Sequence, residues 1–83
     1  MTADQVLAVI REELVRLAPE VDFDTVDRNR SIQQEFDIDS MDFLNFITAL
    51  YARLGVNVPE ADYAKAATIA SAQVYLLARP PTD

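Results

Sequence analysis

The chain has 83 residues, 51% of them hydrophobic and 25% charged, with a formal net charge of −7. That length fits a single domain, residues 1–83, with one core, since so short a chain buries only about 60–65% of the surface its unfolded form exposes. The absence of Cys and His removes disulfides, thiolate nucleophiles, the usual general base and the commonest metal ligand, which argues against an enzyme in its own right or a metal site.

At the N-terminus, "MTADQVLAVIREEL" has no basic flank before its apolar residues and does not read as a signal peptide, so a cytoplasmic location is expected. Thr2 followed by Gln5 fits a capping box, and Val6, Leu7, Ile10, Leu14 and Leu17 recur at helical spacing. Arg11, Glu12, Glu13 and Arg16 fall on the other side. A first helix over about residues 3–18 follows, closed with the help of Pro19.

Residues 19–39 carry scattered apolar side chains (Val21, Phe23, Val26, Ile32, Phe36) without a sustained period. The connection is long, since most are about 4–6 residues, and its apolar residues point to packing across the core. Asp22, Asp24 and Asp27 lack the glycine and terminal glutamate of a calcium loop and read as turn and cap acids.

A second helix is expected from Ser40 to Leu54, with Asp39 as its N-cap, Asp42 at the positive end of its dipole and Gly55 as its stop. At roughly 100° per residue, Phe43, Leu44, Phe46, Ile47, Leu50, Tyr51 and Leu54 form one broad apolar face, expected to be core. The opposite arc carries Met41, Asn45, Thr48, Ala49 and Ala52, with Asp42 and Arg53 at its edge, and is nearly uncharged.

Pro59 can start a short helix over Glu60 to Ala66. Thr68 then caps a last helix with Ile69, Ala72 and Leu76 on one face, ended by Pro80 and Pro81. The fold class predicted is all-α, a four-helix bundle of three longer helices and one short one, expected as a monomer. No apolar run approaches the roughly 20 residues of a membrane span. Residues 1–42 hold the whole net charge of −7 and residues 43–83 none, a surface that repels nucleic acid and attracts basic proteins.

The stretch "RSIQQEFDIDSMD", with Asp39-Ser40-Met41 at the start of the second helix, and the later "LGVNVPEADYAKAATIASAQVYL" resemble the acyl carrier protein family, which includes the peptidyl carrier domains. The resemblance covers about residues 3–78 and implies that Ser40 is esterified with 4'-phosphopantetheine taken from coenzyme A by a phosphopantetheinyl transferase. Asp39 would be the acid that helps the transferase engage. The arm's thiol would hold acyl or aminoacyl groups for loading and processing enzymes, so the missing His and Cys fit a carrier whose sulfur arrives with the cofactor. Met41, Asp42, Asn45, Thr48 and Ala52 are the expected partner contacts. Phe43, Phe46, Ile47, Leu50 and Ile69 read first as core, and the resemblance adds an acyl cavity between helices as their other role.

Two departures from fatty-acid carriers stand out. Asp37 replaces a glycine, and Asp tolerates the left-handed backbone such a turn needs. Asn45, Tyr51, Ala52 and Arg53 stand where acids are common, which points to a specialised, freestanding carrier rather than the housekeeping one. The alternative is a carrier-like helical scaffold with Ser40 unmodified.

Overall fold

The computed structural model describes residues 1–79, so the expected stop at Pro80 and Pro81 lies outside the described residues. Its elements are α1 (Ala3–Leu17), a 3₁₀ turn (Phe23–Thr25), α2 (Ile32–Glu35), α3 (Ser40–Leu54), a 3₁₀ helix (Glu60–Ala66) and α4 (Ile69–Ala78). The all-α reading holds: four helices of seven or more residues and one short one, without a strand among the described residues.

Local chemistry sets the helix ends. Thr2 Oγ1 accepts from the Gln5 N–H at 3.2 Å while Gln5 Oε1 accepts from the Thr2 N–H at 2.8 Å, the expected capping box. Thr68 and Ser71 make the same reciprocal pair at the start of α4. Gly55 ends α3 at φ 71°, a left-handed position that a β-carbon would strain, and its N–H reaches the Tyr51 carbonyl at 2.8 Å. Between these ends, Val6, Ile10 and Leu14 of α1, Phe46 and Leu50 of α3, and Ile69, Ala72 and Leu76 of α4 are wholly or almost wholly buried.

The long connection contains more structure than its sequence pattern suggests. Asp22 caps the 3₁₀ turn by accepting from the Asp24 N–H at 3.0 Å, and Asp27 accepts from the Asn29 N–H at 2.9 Å. Asp24 pairs with Arg11 at 3.3 Å. These acids serve the backbone and a neighbouring arginine, as turn acids do. Phe23 sits in the core 6.3 Å from the Phe36 ring, with the Arg11 and Arg28 guanidinium groups 5.4 and 5.7 Å from its centroid. The four-residue α2 is too short to show a helical period, which is why the sequence conceals it.

Two expectations need correction. Leu44 and Tyr51, assigned to the core face of α3, are 40% and 44% exposed. They lie seven residues apart on one flank, while α3 buries only the narrower arc of Phe43, Phe46, Ile47 and Leu50. Glu13, assigned to the polar side of α1, is 4% exposed. Its partner lies 40 residues away: Arg53 donates to Glu13 Oε2 at 3.0 Å, pairs with Glu12 at 2.6 Å, and shares Glu13 with Arg16. The hydrogen bonds to Glu12 first and Glu13 second hold the Arg53 guanidinium more firmly protonated than usual.

Asp62 ties the 3₁₀ helix to α4. The Tyr75 hydroxyl donates to Asp62 Oδ2 at 2.6 Å, and Lys65 and Arg79 lie 3.4 and 3.5 Å from the same carboxylate. Chiefly through the Tyr75 hydrogen bond, with the two cations adding, the Asp62 carboxyl titrates below its ordinary value. Burial first, and Asp62 second, push the Tyr75 phenol up. A carboxyl with a lowered folded pKa contributes stability above its unfolded value of about 4, lost as pH falls through the folded one. A phenol with a raised pKa contributes below about 10, and loses that contribution as pH rises through its folded value. Tyr75→Phe is therefore expected to flatten both limbs of the urea midpoint against pH, leaving the neutral plateau lower. Unchanged acid and alkaline limbs in the variant would show that the Asp62–Tyr75 contact carries no linkage.

Candidate functional site

The approach to Ser40 is built by three consecutive local choices. Phe36 caps α2 and buries its ring, so the chain must turn sharply after it. Asp37 makes that turn at φ 51°, the left-handed region that the sequence allowed it. The Ile38 N–H then reaches back to the Gln33 carbonyl at 3.1 Å, and its side chain packs half-buried against the core.

Asp39 follows in extended backbone and caps α3, its Oδ1 accepting from the Asp42 N–H at 2.8 Å. Ser40 is the first residue of the helix and is exposed. Helix geometry leaves the first-turn amides of Ser40 and Met41 without intrahelical partners, a favourable surrounding for an anion. The acids Asp37, Asp39 and Asp42 oppose that preference, although Asp39 directs one oxygen into the cap. Among the described residues no group of three or more Asp or Glu side chains is placed to hold a metal ion.

The other expected site residues divide into two sets. Met41 is 65% exposed and Asn45, Thr48 and Ala52 are exposed, forming the outward strip of α3, with the half-buried Asp42 at its edge. Thr48 spends its hydroxyl on the Leu44 carbonyl at 3.0 Å, so the strip presents its methyl group more than a polar donor. Phe43, Phe46, Ile47, Leu50 and Ile69 are all buried core. Of these five, Phe43 also lines an opening.

That opening is a groove of about 560 Å³ beginning at Ser40. Met41, Phe43 and Leu44 continue its α3 wall, Glu60, Tyr63 and Ala64 form the opposite wall, and Gln33 and Ala67 complete it. Its volume lies within the about 300–1,000 Å³ usual for small-molecule sites. A shallower depression of about 520 Å³ lies by Lys65, Val74 and Tyr75, and none of residues 39–42 reaches it. Ser40 is part of the groove's wall and not of the depression's. Gln33, Leu44, Glu60 and Tyr63 escaped the sequence reading as site residues, since they come from three separate segments and no local spacing connects them.

The described residues thus form a small helical bundle with an exposed serine, Ser40, at a capped helix start beside a groove of ligand size. The family profile described as a phosphopantetheine attachment site matches residues 4–72. The chain therefore belongs to the phosphopantetheine-binding family of acyl and peptidyl carrier proteins. That family carries covalently attached 4'-phosphopantetheine, and its domains are non-catalytic carriers. No curated protein matches the chain significantly. Among the described residues no helix is long and apolar enough to cross a membrane.

Replacing Asp39 by Ala removes the cap and is expected to cost about 1 kcal/mol, within the 0.5–2 range for such losses. Asp39→Asn keeps a side-chain acceptor and should cost less than half as much in the same urea titration. Equal losses in the two variants would mean that the carboxylate charge, not the cap bond, is what matters.

Proposed function

We propose that Ser40 bears the phosphopantetheine and that the chain carries acyl or aminoacyl groups in a specialised pathway rather than in housekeeping fatty-acid synthesis. One observation supports Ser40 above all. The matched region contains three serines, Ser31, Ser40 and Ser71. Ser31 is half-buried in a bridge to Thr68, and Ser71 is half-buried in the capping pair with Thr68. Ser40 alone is exposed.

In the modification the Ser40 oxygen forms a P–O bond to the pantetheine-bearing phosphorus of coenzyme A. The diphosphate P–O bond breaks, adenosine 3',5'-bisphosphate leaves, and the hydroxyl proton passes to a base. The partner transferase supplies that base, with magnesium. The group, once bound, supplies a terminal thiol that holds cargo as a thioester. The cytoplasm, where coenzyme A and such transferases meet, is the compartment this reading implies, and the chain acts there as a monomer.

The specialised assignment rests on α3. Its outward strip of Met41, Asn45, Thr48 and Ala52 carries no charge, Asp42 is the acid beside it, and Arg53 is occupied by Glu12 and Glu13. A partner meeting this strip gains more from apolar contact than from ion pairing, and an exposed methionine adapts well to such contact.

The intact mass of the protein after incubation with coenzyme A, magnesium and a broad-specificity phosphopantetheinyl transferase should rise by one phosphopantetheine, and Ser40→Ala should show no gain. A folded native chain that several such transferases leave unmodified would instead be a scaffold with a carrier's shape. In the same reaction Met41→Ala should raise KM for the carrier about tenfold, the effect of truncating an interface side chain worth more than about 1 kcal/mol. The effect should persist between about 0.05 and 0.5 M salt, where exposed ion pairs weaken. An unchanged KM would remove Met41 from the contact surface.

A further inference from the structure

Helix α4 is built almost entirely of apolar and small residues. Its sequence from Ile69 to Ala78 contains no charged side chain, yet only Ile69, Ala72 and Leu76 are buried. A helix that is hydrophobic all round is ordinarily covered on every side. Here Val74 is 68% exposed, more than any other large hydrophobic residue among those described, and Leu77 is 40% exposed. Ala70, Val74 and Leu77 follow at helical spacing along one outward flank. Contiguous exposed apolar surface of this kind marks a contact site.

The shallow depression of about 520 Å³ lies beside this flank, between α4, Asn29 and Lys65. It shares no lining residue with the groove at Ser40. Its hydroxyls are already engaged: Thr68 bonds Ser71 at 2.8 Å, and Tyr75 donates to Asp62. What it offers a ligand is mostly apolar, with Asn29 and the exposed Lys65 ammonium as its polar contacts.

The charge around the depression is unlike that of the rest of the chain. Asn29 stands between Arg28 and Arg30, and the Arg28 carbonyl accepts from the Ala70 N–H at 3.0 Å. Arg79 stacks 5.2 Å from the Tyr75 ring centroid. Three acids lie among these cations. Asp62 is shared by Lys65 and Arg79, Glu35 pairs with Arg30 at 3.7 Å, and Asp27 accepts from the Asn29 N–H. Four cations against three acids leave a positive surplus, in a chain whose net charge is −7. Arg28, its guanidinium 5.7 Å from the Phe23 ring centroid, has no ion pair among the described residues.

We propose that the outward flank of α4, with this depression, is a second docking surface. Its occupant is an amphipathic helix of a partner protein that carries carboxylates beside its apolar face. Val74 and Leu77 meet the apolar face, and Arg28 and Lys65 meet the carboxylates. A second copy of this chain is the poorer occupant, because a two-fold contact through α4 sets these cations against their own counterparts. The surface stands apart from Ser40, so a partner held here leaves the Ser40 groove accessible to another.

The test uses the whole unmodified chain labelled with ¹⁵N, so that its result does not depend on Ser40 bearing a group. The probe is a synthetic amphipathic helix of leucines and glutamates. Amide signals of Lys65, Ala70, Ser71 and Val74 should shift on titration, while those of Ser40 and Met41 stay in place. Lys65→Gln and Val74→Asp, both at exposed positions, should each weaken binding about tenfold, as loss of a central contact does. The same helix with lysines in place of glutamates should leave the four signals unmoved. No shift at millimolar peptide, or an equal shift with the lysine version, overturns the proposal. Self-association in sedimentation without peptide, lost in Val74→Asp, overturns it in favour of a second copy. Shifts of the four signals with vesicles of anionic lipid, and none with the peptide, overturn it in favour of a membrane surface.

Discussion

Two backbone hydrogen bonds hold the long connection to the far end of the molecule: Ile32 N–H to the Ala67 carbonyl at 2.8 Å, and Ala70 N–H to the Arg28 carbonyl at 3.0 Å. With the Ser31–Thr68 bridge between them, they place α2 beside the start of α4. Everything at the site follows from that seam. Because α2 is fixed there, Phe36 can enter the core, the chain must turn at Asp37, and Asp39 arrives where it can cap α3. The same seam brings Gln33 and Ala67 into the groove that Ser40 begins. Covering the core with a loop this long orders many residues, each costing roughly 1–2 kcal/mol of backbone entropy. Burial of Phe23, Ile32 and Phe36 offsets part of that cost and makes the loop a structural wall.

The charge distribution follows from a second constraint, the contact between α1 and α3. Arg53 comes from the last turn of α3, where a cation also suits the helix dipole, and reaches Glu12 and Glu13. Glu13 is buried, so its carboxylate needs partners, and Arg53 with Arg16 provides them. An arginine committed to this contact leaves the outward strip of α3 free of charge. The acids of the first half thus serve α1, the loop turns and the start of α3 rather than the length of α3.

What could be read in the sequence was what local chemistry decides. The Thr2, Asp39 and Thr68 caps each involve a residue three positions on, and all three form as expected. Gly55 and Asp37 take left-handed backbone for equally local reasons. A helical wheel places Leu44 and Tyr51 on the core face because it reports angle and not what packs against it. Glu13 could not be read as buried, since its burial depends on an arginine 40 residues away. The groove was illegible for the same reason: Gln33, Ser40 and Tyr63 meet only after the seam between α2 and α4 has closed.

The acids around Ser40 then have a physical logic. A phosphodiester at this position gains from the first-turn amides of α3 and is opposed by Asp37, Asp39 and Asp42. Exposure decides how much the opposition costs. Ser40 stands in water, whose high dielectric holds the repulsion of two unit charges 4 Å apart to about 1 kcal/mol, and Asp39 keeps one oxygen on the Asp42 amide. The repulsion that remains would bear on the phosphate of a group attached there and direct its anionic end outward.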